Sequence, residues 1–208
     1  MILAYAVLGG LGAGLVRAGW GGRHLQVPQL QHTWLVVLAF LSQFVAFHLP
    51  ATRPVVSDGV AAGALVVSQA LLLIFAWYNR QEAGIVVLGV GTALNLLVIA
   101  FNGGLMPISP GTVLRLAPGA SANSLKIGER LWQGKDIVLP LREMRFWWLS
   151  DYFVLSRGYR YRVAFSLGDV VIAMGAFWLF WAMGKAPGKV GESQTTESFR
   201  KTGYLSID

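Results

Sequence analysis

Apolar residues gather in five long runs, and the polar residues fall between the runs rather than among them. The runs cover 1–16, 34–49, 55–78, 83–101 and 163–183. A membrane-spanning helix needs roughly 20 apolar residues, with about 17 as the lower limit. The last three runs meet that length. The first two, at about 16 residues each, must borrow flanking residues or cross a thinned region. The pattern predicts an all-α integral membrane bundle of five transmembrane helices, residues 1–183. A connector, 102–162, carries short interfacial helices between the fourth and fifth spans. The remainder, 184–208, is polar and is expected to be a disordered tail.

Composition supports the bilayer as solvent. Of 208 residues, 55% are hydrophobic and 13% are charged, against roughly 25% charged in a soluble domain. The chain has no cysteine, which excludes disulfides, thiolate metal sites and a cysteine nucleophile. The net charge of +7 points first to anionic lipid headgroups and to topology signals.

No Lys or Arg precedes the first run, and Arg17 and Arg23 follow it. That order suits a signal-anchor with its N-terminus outside and, after five spans, a cytoplasmic C-terminus. Positive residues near span ends divide evenly. Arg17, Arg23, Arg80, Lys185 and Lys189 fall inside, and Arg53, Arg115, Arg157, Arg160 and Arg162 outside. The first span therefore decides, because the contrary loop is about 60 residues long and the rule weakens over long loops.

Within the spans, Gly10 and Gly14, then Gly59 and Gly63, form G-x-x-x-G pairs, and Gly168, Gly175 and Ala182 recur every seven residues. Small residues on one stripe let helices approach closely, within one chain or between copies. The polar residues inside the spans, Gln43, His48, Ser68, Gln69, Thr92 and Asn95, include no carboxylate, lysine or arginine. This argues against a proton-coupled transporter or a charge-conducting pore. Asp58 and Asp169 fall in first helical turns, where a carboxylate offsets unpaired N–H groups. His48 is taken as a polar end group rather than a tetrapyrrole ligand.

The connector holds nine Lys/Arg and four Asp/Glu and is too long for a simple link. Asn102-Gly103-Gly104 is a helix stop built from residues that tolerate positive φ. Ser109-Pro110 has the form of an N-cap followed by the first residue of a short helix. Residues 119–136 are polar and turn-rich, as expected of a segment in water. In 141–155, Leu141, Met144, Trp148, Tyr152 and Leu155 recur at three- and four-residue spacing. This predicts an amphipathic interfacial helix with Trp147 and Trp148 at headgroup depth. Arg142 and Arg145 within it, and Arg157, Arg160 and Arg162 beyond it, are candidate headgroup ligands, and the neighbouring membrane span favours lipid over nucleic acid. Ser166 and Asp169 fit a capping box. Asn102, Ser109, Asp151, Ser166 and Asp169 are the candidate ligand-binding polar junction, because the end of span four and the start of span five share one membrane side.

At these residues the chain resembles a known family. The segments "NGGLMPISP", "LSDYF" and "SLGDVVIAMG" are similar to those of a family of bacterial multi-pass membrane proteins of unknown function. There an NGG-x-MP element closes one span, L-x-D follows in the loop and S-x-GD opens the last span. The resemblance implies a bacterial integral membrane protein and brings no activity with it; the expected location is the inner membrane.

Enzyme signatures are missing from the sequence: no H-E-x-x-H, P-loop or GxGxxG, and no metal spacing among the three histidines. No cofactor and no metal site is expected. Three functions remain. The leading one is a non-enzymatic accessory or scaffold component of a membrane assembly, with lipids and other membrane proteins, or further copies of itself, as partners. The second is a small-molecule or lipid-binding, transport-related protein with its pocket at the break after span four. The third is an enzyme acting on a lipid phosphate through Asp151 and Asp169 with loop arginines.

Overall fold

The computed structural model describes residues 2–20, 28–52, 54–121, 125–157 and 161–183. The chain is mostly helical. Five long helices are α1 (Ile2–Trp20), α2 (Trp34–Phe47), α3 (Asp58–Tyr78), α4 (Ala83–Phe101) and α6 (Leu167–Ala182), and α5 (Pro110–Leu116) is a short helix in the connector. Among the described residues, α3 and α4 are long and apolar enough to cross a membrane, while α2 and α6 are shorter apolar helices. The tail 184–208, with Lys185 and Lys189, lies outside the described residues, as do Arg23, Arg53 and Arg160.

The helices form a bent row in the order α2, α3, α4, α6, α1. Glycines set two of its seams. A Cβ added to Gly84 would lie 2.6 Å from Leu179 N, and one on Gly91 2.6 Å from Gly168 O. The backbones of α4 and α6 therefore touch in antiparallel order. On α1, added Cβ atoms would lie 2.7 Å from Phe177 O at Gly10 and 2.6 Å from Phe180 O at Gly14, so α1 runs parallel to α6. Gly59 and Gly63 on α3 have no neighbour within 4 Å of such a Cβ. Two apolar clusters close the ends of the row. Leu35, Phe75, Ala76, Ile85 and Leu179 join α2, α3, α4 and α6 at one end. Phe47, Leu65, Val98, Met106 and Leu149 lie in a cluster that ties α2, α3 and α4 to the connector at the other.

The chain is not all-α. Strands β1 (Met106–Ile108) and β2 (Asp136–Val138) pair in parallel, and β3 (Phe153–Arg157) and β4 (Tyr161–Phe165) form an antiparallel hairpin. Gly103 and Gly104, at φ +79° and +84°, turn the chain out of α4 through a conformation that costs other L residues about 1–2 kcal/mol. Met106 N then donates to Lys135 O at 3.0 Å, and Ile108 O accepts from Leu139 N at 3.1 Å. Pro107 sits between these ladder residues, so its missing N–H breaks no bond in the pair.

The amphipathic helix expected over 141–155 does not form. Its residues make two single 3-10 turns, Leu141–Glu143 and Trp147–Leu149, and then enter β3. Phe146 between the turns is left-handed at φ 55°, which no continuous helix accommodates. The helical spacing there was misleading because burial does not follow it: Leu149, Ser150 and Asp151 are buried in succession. The fifth apolar run is likewise divided. Residues 163–165 belong to β4, and α6 starts at Leu167 behind its Ser166 cap.

Candidate functional site

Between the two apolar clusters, α2, α3, α4 and α6 enclose a cavity of about 590 Å³. It runs along α4 from Leu88 to Ile99, roughly 16 Å at 1.5 Å per residue. Val36, Leu72, Phe75 and Leu88 line the end away from the connector, and Met106, Lys135 and the β4 residues 163–165 line the connector end. Polar groups on its wall are Gln43, Gln69, Thr92, Asn95, Lys135 and Asp169. Among the described residues, α2 and α6 do not pack along each other. The side between them is the one that helix–helix packing leaves open.

The polar end is held by a closed set of hydrogen bonds. The Ser166 side chain accepts from Asp169 N at 3.0 Å, and the Asp169 carboxylate accepts from Ser166 N at 3.1 Å. This capping box satisfies N–H groups at the start of α6. Asn95 on α4 donates to Asp169 Oδ1 at 2.9 Å, and its carbonyl accepts from the Ser166 hydroxyl at 2.9 Å. The close α4–α6 seam makes this reach possible, since Gly168 leaves Asn95 the space a Cβ would fill. Farther along the wall, Gln43 donates to Ser68 at 2.7 Å and Ser68 to Leu65 O at 2.7 Å. Gln69 lies 9% exposed, and its Oε1 has no hydrogen-bond partner.

Lys135 enters this end from the connector. Its ammonium lies 2.6 Å from Asp151 and 2.9 Å from Asp136. Its side chain keeps 40% of its surface because it lines the cavity. Burial works to lower the Lys135 pKa, but Asp136, Asp151 and Asp169 together override it and hold the amine above the ordinary lysine range. For Asp151, 2% exposed, burial raises the pKa to about 7, with Asp136 and Asp169 adding and Lys135 opposing. One Asp151 oxygen has no partner. One cation thus faces three carboxylates.

The family comparison covers this same region. The chain belongs to DUF5317, a family of unknown function. The match runs over residues 28–181 and so takes in every residue that lines the cavity, while α1 lies outside it. No curated protein and no solved structure matches the chain.

Within the DUF5317 region, the expected junction divides into separate parts. Ser166 and Asp169 meet through Asn95, and among the described residues no hydrogen bond links Asn102 or Ser109 to Asp169. Asn102 instead clamps the connector, donating to Arg145 O and accepting from Arg145 N, both at 2.9 Å. The clamp anchors the chain just before Leu149 enters the core and Asp151 meets Lys135. Ser109 caps α5, accepting from Thr112 N at 3.0 Å. Asp151 reaches the site through Lys135 alone. The headgroup arginines also differ from one another. Arg142 is exposed beside Glu143 at 3.6 Å, and the Arg145 side chain is exposed. Arg162 donates to Arg115 O at 2.7 Å, Arg157 closes β3, and Arg160 lies outside the described residues. The sequence pattern had placed Lys135 in a polar segment exposed to water. A lysine flanked by Gly134 and Asp136 carries no periodic signal of burial. Asn95 and Gln69 were legible as polar residues in apolar runs, and that oddity was the available clue.

Proposed function

We propose that this chain is a multi-pass protein of a bacterial inner membrane that binds an amphipathic small molecule between its helices. In this reading α1, α2, α3, α4 and α6 all cross the bilayer. The bent row presents large apolar side chains outward, with Leu8 66%, Phe40 62% and Trp77 67% exposed, which suits a lipid solvent. The N-terminus and the connector share one side because α1 runs parallel to α6. Arg17 and Arg80 mark the other side as cytoplasmic under the positive-inside rule.

The observation that carries the binding reading is the cavity, mostly apolar along its length and polar at one end. Ligand sites are commonly clefts of about 300–1,000 Å³ with a few placed polar groups. The open side between α2 and α6 gives a molecule dissolved in the bilayer a lateral route in. The lipid-phosphate enzyme loses support here. Among the described residues lining the cavity, Lys135 is the one Lys or Arg, and it already faces three carboxylates. Native mass spectrometry of gently solubilised protein tests the binding reading. Wild type should carry a noncovalent adduct that Leu72→Trp, which fills the cavity, does not. Equal adducts on both proteins would refute it.

A second reading, an accessory component packed against other membrane proteins, draws on the open Gly59–Gly63 stretch of α3. A copurifying membrane protein lost on Gly63→Leu would support that reading.

A further inference from the structure

We propose that the polar group bound at the connector end of the cavity is a hydrogen-bond donor without negative charge, an amine or a hydroxyl on an aliphatic body. This rests on the cavity being a binding site and adds the chemistry of what it takes. Three observations carry it.

The first is the acceptor inventory. Each Asp169 oxygen takes one hydrogen bond, from Asn95 or from Ser166, whereas an ionised carboxylate offers roughly four lone-pair sites. The carboxylate can therefore accept further donors without surrendering either bond. The second is Gln69 on α3, a wall residue whose buried Oε1 has no donor. A buried acceptor left unpaired is unfavourable; half a turn of the Gln69 amide would bring this oxygen to the cavity wall, where a ligand donor relieves it. Gln69 and Asp169 sit on different helices, so the two observations are independent.

The third is charge. Lys135 is the cation at this end, and two of its N–H groups are committed to Asp151 and Asp136. With Asp169 added, carboxylates outnumber the ammonium. A phosphate or carboxylate headgroup would bring its charge against Asp169 and would have to draw Lys135 from its partners. An amine or hydroxyl meets no such repulsion, and a hydroxyl can also accept the remaining Lys135 N–H. Farther along the wall, Leu72, Phe75, Leu88 and Ile172 offer apolar contact and suit an aliphatic chain.

The test uses the full chain in phosphatidylcholine nanodiscs and four probes sharing one decyl chain: decylamine, decanol, decyl phosphate and decanoate. The melting midpoint is followed against probe concentration, with Leu72→Trp run in parallel to subtract partitioning into the bilayer. Decylamine and decanol should half-saturate wild type at concentrations at least about tenfold lower than the two anions, a difference of about 1.4 kcal/mol. Gln69→Leu and Asp169→Asn should each shrink that gap. Anions that bind as well as the donors overturn the proposal, and so does a gap that survives both substitutions. If no probe distinguishes wild type from Leu72→Trp, the cavity does not bind such molecules and the underlying reading fails with it.

Discussion

Asn95 and Asp169 hold each other across the α4–α6 seam: the Asn95 amide donates to the Asp169 carboxylate at 2.9 Å. The same carboxylate closes the capping box with Ser166, so one side chain serves a helix start and a helix pair together. Asp169→Ala removes both and should destabilise the protein by about 1–3 kcal/mol. Asp169→Asn has one acceptor and one donor in place of two acceptors. Rotating the Asn95 amide by half a turn would present its carbonyl to the new donor, so Asn should cost much less than Ala. Reversible unfolding of the three proteins in bicelles checks the order. Equal losses for Ala and Asn would show that charge, not hydrogen bonding, holds the seam.

The glycines divide into two kinds, and their alanine variants should divide with them. Gly84→Ala would drive a methyl against Leu179 N, and Gly91→Ala against Gly168 O. Each should cost about 1–3 kcal/mol by forcing the helices apart. Gly59→Ala and Gly63→Ala meet nothing within 4 Å and should be neutral or gain up to about 1 kcal/mol of helix propensity. Losses at Gly59 and Gly63 matching those at the seam would point to a neighbouring chain on α3.

Stability should fall as pH rises from about 4 to above 7, and Asp151 gives the sign. Its folded pKa is raised from 3.8 to about 7. The folded state therefore binds more protons than the unfolded chain within that window. The contribution is full below 3.8 and is lost as pH passes through 7. Lys135, held above its ordinary range, keeps its charge throughout and adds no slope there. Thermal unfolding at pH 5 and pH 8 should show wild type losing more than Asp151→Asn. An equal loss in both would assign the slope to another group.

Legibility in the sequence followed the kind of signal each element carries. Local chemistry was readable: the Ser166 capping box, the Ser109 cap before Pro110 and the Asn102-Gly103-Gly104 stop each depend on residues close together in the chain. The mixed connector was not. Helical spacing in 141–155 arose from residues whose burial is fixed by distant partners, Leu149 by the α2–α3–α4 cluster and Asp151 by Lys135. Asn102 was singled out for a junction with Asp169, but its partner is a backbone 43 residues away, which no spacing rule reaches. The site was partly visible as Asp169 and Ser166. Its other members, Lys135 above all, come together only once β2 is seen to pair with β1.

The proposed five-span arrangement can be tested by its sidedness. Gln81, exposed in the α3–α4 turn, and Glu129, exposed in the connector, lie beyond opposite ends of α4. The chain has no cysteine, so Gln81→Cys and Glu129→Cys each carry a single thiol. In intact cells an impermeant maleimide should label Glu129→Cys and leave Gln81→Cys unlabelled until the membrane is opened. Labelling of both in intact cells would rule out the five-span reading, and the reverse pattern would invert its orientation.

The last prediction separates a binding residue from a structural one. Gln69 is buried on α3 with its Oε1 unpaired. In a purely structural wall such a group is a defect, because a desolvated acceptor without a donor costs about 1–3 kcal/mol. Leucine is one methylene shorter, but it is apolar and has no polar atom to satisfy. Gln69→Leu should therefore stabilise the unliganded protein, by about 1 kcal/mol or more, measured by unfolding in bicelles. Ser68→Ala, one position earlier, should do the opposite. Its hydroxyl donates to Leu65 O and accepts from Gln43, so its loss strands a partner. A stabilised Gln69→Leu protein that no longer holds the native adduct would show that the polar atom is retained for its ligand at the expense of stability. If Gln69→Leu is instead less stable than wild type, the amide has a structural partner, and its role in the wall is packing.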